Sequence, residues 1–178
     1  MHPWSASSNT SFPTESRTGC SERPSAPEHV ARNTAMVVAP PDAVFSVLSD
    51  PPRYASFVVG TKRIRRFEPL WPAVGSVLHH TLGVGPFLLP DLTRVVEVEE
   101  GQRLVLRAQM RPFAVNRVAF GLRPLEGGTE VEVEEHAVEG PAAALWNPVF
   151  DRIMWLRNEE MLRWLKTLAE RRAAMVTD

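Results

Sequence analysis

A single cysteine, Cys20, leaves no intrachain disulfide to be made, so the fold must hold without one, as suits a reducing cytoplasm. No apolar run approaches the length of a membrane span. The net charge is only -1 at pH 7, and so neither nucleic acid nor an anionic membrane is favoured as a partner. The opening residues Met1-His2-Pro3-Trp4-Ser5 lack the basic start and apolar core of a secretory signal. Gly-x-Ser-x-Gly, Gly-x-Gly-x-x-Gly after a strand, and the phosphate-binding Gly-x-x-x-x-Gly-Lys are all missing. This removes the common nucleophile elbow, the dinucleotide fold and the nucleotide loop from consideration.

What remains is 178 residues with 44% hydrophobic and 23% charged content, enough for one domain with a sizeable core. Residues 1–28 are dominated by Ser, Thr and Pro, as in Ser5-Ala6-Ser7-Ser8-Asn9-Thr10-Ser11. Such a segment cannot bury enough apolar surface to offset its ordering entropy and reads as a disordered tail. Cys20 falls within it. The expected domain covers 29–174, followed by a short tail over 175–178.

Within the domain, 30–39 reads as a strand ending at Pro40-Pro41. Proline suits the first turn of a helix, and Asp42 there favours the helix dipole. Val44, Phe45, Val47 and Leu48 then give a short amphipathic helix, and 53–58 a second one. Six strands follow, over 61–68, 75–83, 92–99, 103–111, 117–123 and 129–138. Glu100-Gly101-Gln102 and Glu126-Gly127-Gly128 serve as hairpin turns. The apolar stretch 84–90 between the second and third of these six reads as a loop. A long helix over about 142–173 ends the chain. Short turns imply an antiparallel meander, and its apolar face needs a cover. The terminal helix is the only element large enough.

The segment Ala39-Pro40-Pro41-Asp42-Ala43-Val44-Phe45-Ser46-Val47-Leu48-Ser49-Asp50, in this order of elements, resembles the opening of the START-like (SRPBCC) superfamily, with its Bet v 1-like and polyketide cyclase/dehydrase groups. Trp71-Pro72-Ala73-Val74-Gly75-Ser76, followed by His79-His80, resembles an uncharacterised bacterial branch of it. The resemblance implies an α+β helix-grip fold: a curved antiparallel sheet of about seven strands around a long C-terminal helix, enclosing a cavity. The superfamily includes lipid carriers, hormone receptors, aromatic cyclases and co-chaperones, so the likeness does not choose a function.

Strand alternation assigns faces. Leu78, His80 and Leu82 share one side of their strand; Leu92, Arg94, Val96 and Val98 share a side of the next. Leu104, Leu106, Ala108 and Met110 follow, then Val118, Phe120 and Leu122, then Val131, Val133, Glu135 and Ala137. On the helix, at 100° per residue, Phe150, Ile153, Met154, Met161, Trp164, Leu165 and Leu168 fall within an arc of roughly 120°, with Arg157 in its middle. Glu135 is its expected partner, because an unpaired buried charge is costly. Four polar groups are thus expected inward: His80, Arg94, Glu135 and Arg157. Either they form the polar end of a ligand pocket, or Glu135 and Arg157 make one internal salt bridge while His80 and Arg94 reach the rim. The candidate ligand-binding residues are Arg94, Arg157, Leu78, Leu82, Val96, Leu106, Met110, Phe120, Phe150, Met154 and Met161.

His80 and Glu135 are the candidate acid–base pair if chemistry follows, as in an aldol-type cyclisation or dehydration. His79 and His80 point to opposite faces of a strand and cannot share an ion, so no metal and no cofactor is expected. The basic strand Lys62-Arg63-Arg65-Arg66 reads as a charged edge; the interleaved aromatics of a nucleic-acid site are missing. The tip Phe87-Leu88-Leu89 covers the core, closes the mouth of a pocket or touches a membrane transiently. Trp146, Trp155 and Trp164 line a site or pack the rim, with Trp155 off the apolar face as a possible dimer contact in a monomer or homodimer. Three readings remain open: a binder of a lipid, isoprenoid or polyketide-like molecule, a cyclase/dehydratase-type enzyme, and a protein-interaction module.

Overall fold

The computed structural model describes residues 30–84, 86–110, 114–140 and 148–177. Among these, β1 (Ala31–Val37) leads into two short helices, α1 (Pro41–Leu48) and α2 (Pro51–Phe57). Six strands follow: β2 (Thr61–Phe67), β3 (Val77–Val84), β4 (Phe87–Glu99), β5 (Arg103–Met110), β6 (Ala114–Leu125) and β7 (Gly128–Glu139). The helix α3 (Pro148–Thr177) closes the chain. All neighbours pair antiparallel in one curved seven-stranded sheet of order β1-β7-β6-β5-β4-β3-β2. This is the expected α+β helix-grip architecture. Residues 1–28 and 142–147 lie outside the described residues, so the tail and the expected helix start are not addressed. The helix runs on to Thr177, past the boundary expected at 174.

The local chemistry accounts for the elements. Pro40 caps α1, Pro41 opens it and Asp42 sits in its first turn, where a missing N–H costs nothing and a negative charge meets the helix dipole. Asp50 and Pro51 repeat the device for α2. Val44, Phe45, Val47 and Leu48 of α1, Phe57 of α2 and Leu104, Leu106 and Phe120 of the sheet join Met161, Leu162, Leu165 and Ala169 of α3 in one buried cluster. Each such side chain contributes about 1.5–3 kcal/mol by leaving water.

Two expectations are corrected. The expected loop gives way to strand on both sides: β3 runs to Val84 and β4 begins at Phe87, with which it pairs, and Phe87 and Leu88 are each 67% exposed. They therefore cover no core. The buried side of α3 is rotated by roughly 60° from the arc read at 100° per residue. Met154, Asn158, Met161, Leu162, Leu165 and Ala169 are buried, whereas Ile153 and Trp164 are exposed. The helix leans towards β1 as well as the sheet interior, for Asn33 of β1 donates to the Trp155 carbonyl at 3.2 Å and to Glu159 Oε1 at 3.1 Å. That tilt carries Asn158 and Leu162 inward and Ile153 outward. Trp155 lies under the Arg152 guanidinium, 4.7 Å from its ring centroid.

Candidate functional site

Register builds the site. His80 of β3 lies opposite Asp91 of β4. Two residues on, Thr93 faces Ala108 of β5, which in turn faces Asn116 of β6. Glu135 of β7 pairs with Val118, next on the same face as Asn116. One row of inward side chains thus crosses five strands. Tyr54 from α2 and Arg157 from α3 close over it, and the row and its cover enclose a cavity of about 210 Å³. Val58, Val59, Leu82 and Ala108 supply apolar wall, while Gly60 and Gly83, without side chains, narrow it little.

The polar groups fall into two sets. In the first, Tyr54 Oη is 3.3 Å from Thr93 Oγ1, and His80 Nε2 is 3.0 Å from the same oxygen. Asp91 Oδ2 stands 4.0 Å from His80 Nε2, and the Tyr54 ring lies 5.7 Å from the imidazole. Burial lowers the His80 pKa from 6.5 to about 4, helped by the positive charge of Arg65 and by His79, so the ring is neutral at pH 7. Burial also raises the Tyr54 hydroxyl to about 12, which keeps it a donor. In the second set, Arg157 Nη1 donates to both oxygens of Glu135, at 2.9 and 2.7 Å, and Nε donates to the Val59 carbonyl at 3.3 Å. Asn116 Nδ2 donates to Glu135 Oε1 at 2.8 Å. Glu135 is 2% exposed. A buried carboxylate bound by guanidinium and amide alike is well compensated.

Of the residues singled out from sequence, His80, Glu135, Arg157 and Leu82 line this cavity. His80 and Glu135 share its wall but no hydrogen bond joins them among the described residues: one is engaged by Thr93, the other by Arg157 and Asn116. Leu78, Leu106, Phe120 and Met161 are buried in the core cluster instead, and Met154 is buried without lining the cavity. The side chains of Met110 and Phe150 lie outside the described residues. Arg94 and Val96 do not face inward. Arg94 is exposed and donates to the Gly75 carbonyl at 2.8 Å, and Val96 is 46% exposed. The inward set on β4 is Asp91, Thr93 and Val95, and an irregularity between Val95 and Glu97 shifts the phase. On the outer side, Arg65 donates from Nε to the His80 carbonyl at 3.0 Å and from Nη2 to the Asp91 carbonyl at 3.2 Å. It ties the edge strand across β3 to β4, directly behind the site.

Tyr54, Thr61, Asp91, Thr93 and Asn116 were missed. Asn116 lay just before the expected strand, which begins at Ala114 rather than 117. Among the described residues, no three His, Cys, Asp or Glu side chains come together. Nor is any helix among them long and apolar enough to cross a membrane.

No protein-family model matches the chain, and no curated protein matches it by sequence. Solved structures do resemble it. The Zhui aromatase/cyclase from Streptomyces sp. R1128 matches with a TM-score of 0.61 at 20% identity, over 80% of this chain and 94% of that one. Ara h 8.0201 matches at 0.61 and 12% identity, over 79% and 97%. The di-domain ARO/CYC StfQ from the steffimycin biosynthetic pathway matches at 0.64 and 16% identity, over 82% of this chain and 52% of that one. With identities this low the likeness is one of fold, and that fold, a curved antiparallel sheet gripping a long terminal helix, is the START-like helix-grip.

Proposed function

We propose that the protein binds a hydrophobic small molecule in the cavity between the sheet and α3. The observation that carries this is the cavity itself: about 210 Å³, with apolar wall from Val58, Val59, Leu82 and Ala108 and placed polar groups beside it, a combination that suits a small-molecule site. A fold serving only as a scaffold would gain stability by filling such a space with side chains. Candidate ligands run from lipids and isoprenoids to polyketide-like molecules, and the volume of about 210 Å³ favours the small end of that range.

An aromatase/cyclase among the structural neighbours supports a second reading, a cyclisation or dehydration in the same cavity. One observation favours it: a buried neutral imidazole, His80, on the cavity wall, hydrogen-bonded to Thr93, whose hydroxyl Tyr54 also engages. His80 would move the proton. Glu135, occupied by Arg157 and Asn116, is better placed to hold Arg157 than to act as its acid–base partner. Binding ranks first because it needs only the shape.

Native mass spectrometry of the full chain, with an organic extract of the same sample, tests the proposal. A lipophilic mass released on denaturation, and absent from a variant with the cavity filled by Ala108→Phe, is the expected result. A clean apo mass, together with no binding by any apolar probe of cavity size, would overturn it.

A further inference from the structure

Resting on that binding reading, we infer that the cavity selects a neutral molecule the size of one substituted ring that carries a hydroxyl, and that it rejects carboxylates and long chains. Three observations converge. The first is size. A cavity of about 150 Å³ accommodates benzene, and drug-sized pockets begin near about 300 Å³. The present volume of about 210 Å³ lies between them, enough for a ring with a short substituent.

The second is charge. Among the described residues, Arg157 is the only Lys or Arg that lines the cavity, and its Nη1 already serves both oxygens of Glu135. Asp91 brings a second carboxyl group to the wall. His80 carries no charge at neutral pH. A carboxylate entering this space would lose its water, meet no spare cation and stand beside other carboxyl groups.

The third is the supply of hydrogen bonds. Among the described residues, Thr61 Oγ1, His80 Nδ1 and Asn116 Oδ1 are buried without hydrogen-bond partners. All three residues are more than nine-tenths buried and all line the cavity. Asn116 must direct its NH2 at the acceptor Glu135, which fixes the amide orientation and leaves Oδ1 as an acceptor in want of a donor. A hydroxyl donates and accepts; a carboxylate cannot donate, and a hydrocarbon does neither. Leaving such groups unmade weakens a complex by about tenfold or more.

The test is isothermal titration of the full chain at pH 7 with four probes: 4-propylphenol, propylbenzene, 4-propylbenzoate and decanoate. The expected result is one site for 4-propylphenol, at least about tenfold tighter than for each of the others, with perturbation of the His80 ring resonances. Removing the carboxylate charge by Glu135→Gln is expected to free Arg157 and narrow the preference for the phenol over the benzoate. Equal or tighter binding of 4-propylbenzoate or decanoate to the unaltered protein would overturn the inference and leave the binding reading standing. Binding of none of the four would overturn both. An unchanged preference in a folded Glu135→Gln protein would overturn the charge argument. If that variant does not fold, Asn116→Ala takes its place. There the phenol is expected to lose its advantage over propylbenzene, and a retained advantage would overturn the inference.

Discussion

His80 is 2% exposed and neutral in the folded protein, with a pKa of about 4 against an ordinary 6.5. The unfolded chain takes up a proton below pH 6.5 that the folded chain refuses until about 4. The unfolded state therefore binds more protons across that window, so stability rises with pH there. This contribution is complete above pH 6.5 and lost progressively as pH falls to about 4. It amounts to at most about 3 kcal/mol. Urea unfolding at pH 7.5, 5.5 and 4.5 measures the slope, and His80→Gln is expected to flatten it. An undiminished slope in the variant would assign the effect to other groups. Arg157 illustrates a second lesson at this scale: one side chain joins β7 through Glu135 and the link after α2 through the Val59 carbonyl. Its place on the cavity wall is thereby fixed without any ligand.

At the scale of elements, the β6–β7 hairpin is the tightest constraint. Gly127 has φ +85° and Gly128 φ +157°. A Cβ on Gly128 would lie 2.1 Å from the Val37 carbonyl oxygen. Gly128→Ala is expected to cost at least about 2 kcal/mol, read as a lowered urea midpoint with an unchanged m-value. A midpoint within error of the parent would mean that β1 and β7 give way freely. The two hairpin turns were legible because Gly there is a local steric requirement. The element order was legible for a similar reason, since proline starts and alternating strands are written locally. The face of β4 was not. Leu92, Val96 and Val98 outvote Val95 on hydrophobicity, yet Asp91 and Thr93 point inward because the cavity end of the sheet is polar. Alternation equates apolar with inward and fails where a site is built. For α3 the failure was one of phase: apolar residues flank Arg157 on both sides, and only the contacts with β1 decide which flank is buried. The Glu135–Arg157 pair was legible because both residues interrupt otherwise apolar faces.

For the whole molecule, the proposed ligand binding would be linked to folding. A ligand present at about 100 times its dissociation constant adds about 2.7 kcal/mol, which raises the midpoint of a chain this size by about 5–11 °C. A thermal scan with a saturating cavity ligand is expected to show that shift, and Ala108→Phe is expected to abolish it. A shift that persists with the cavity filled would place the ligand elsewhere. The strand order β1-β7-β6-β5-β4-β3-β2 has a further consequence. Ala31, in β1, pairs with Glu135, in β7, 104 residues later. At synthesis rates of about 5–20 residues per second, β1 waits on the order of 5–20 s for the strand that completes it. During that interval the row from His80 to Asn116 can assemble on the ribosome, but its Glu135 end and the Arg157 cover cannot. The nascent chain can therefore build most of its sheet before its cavity is closed.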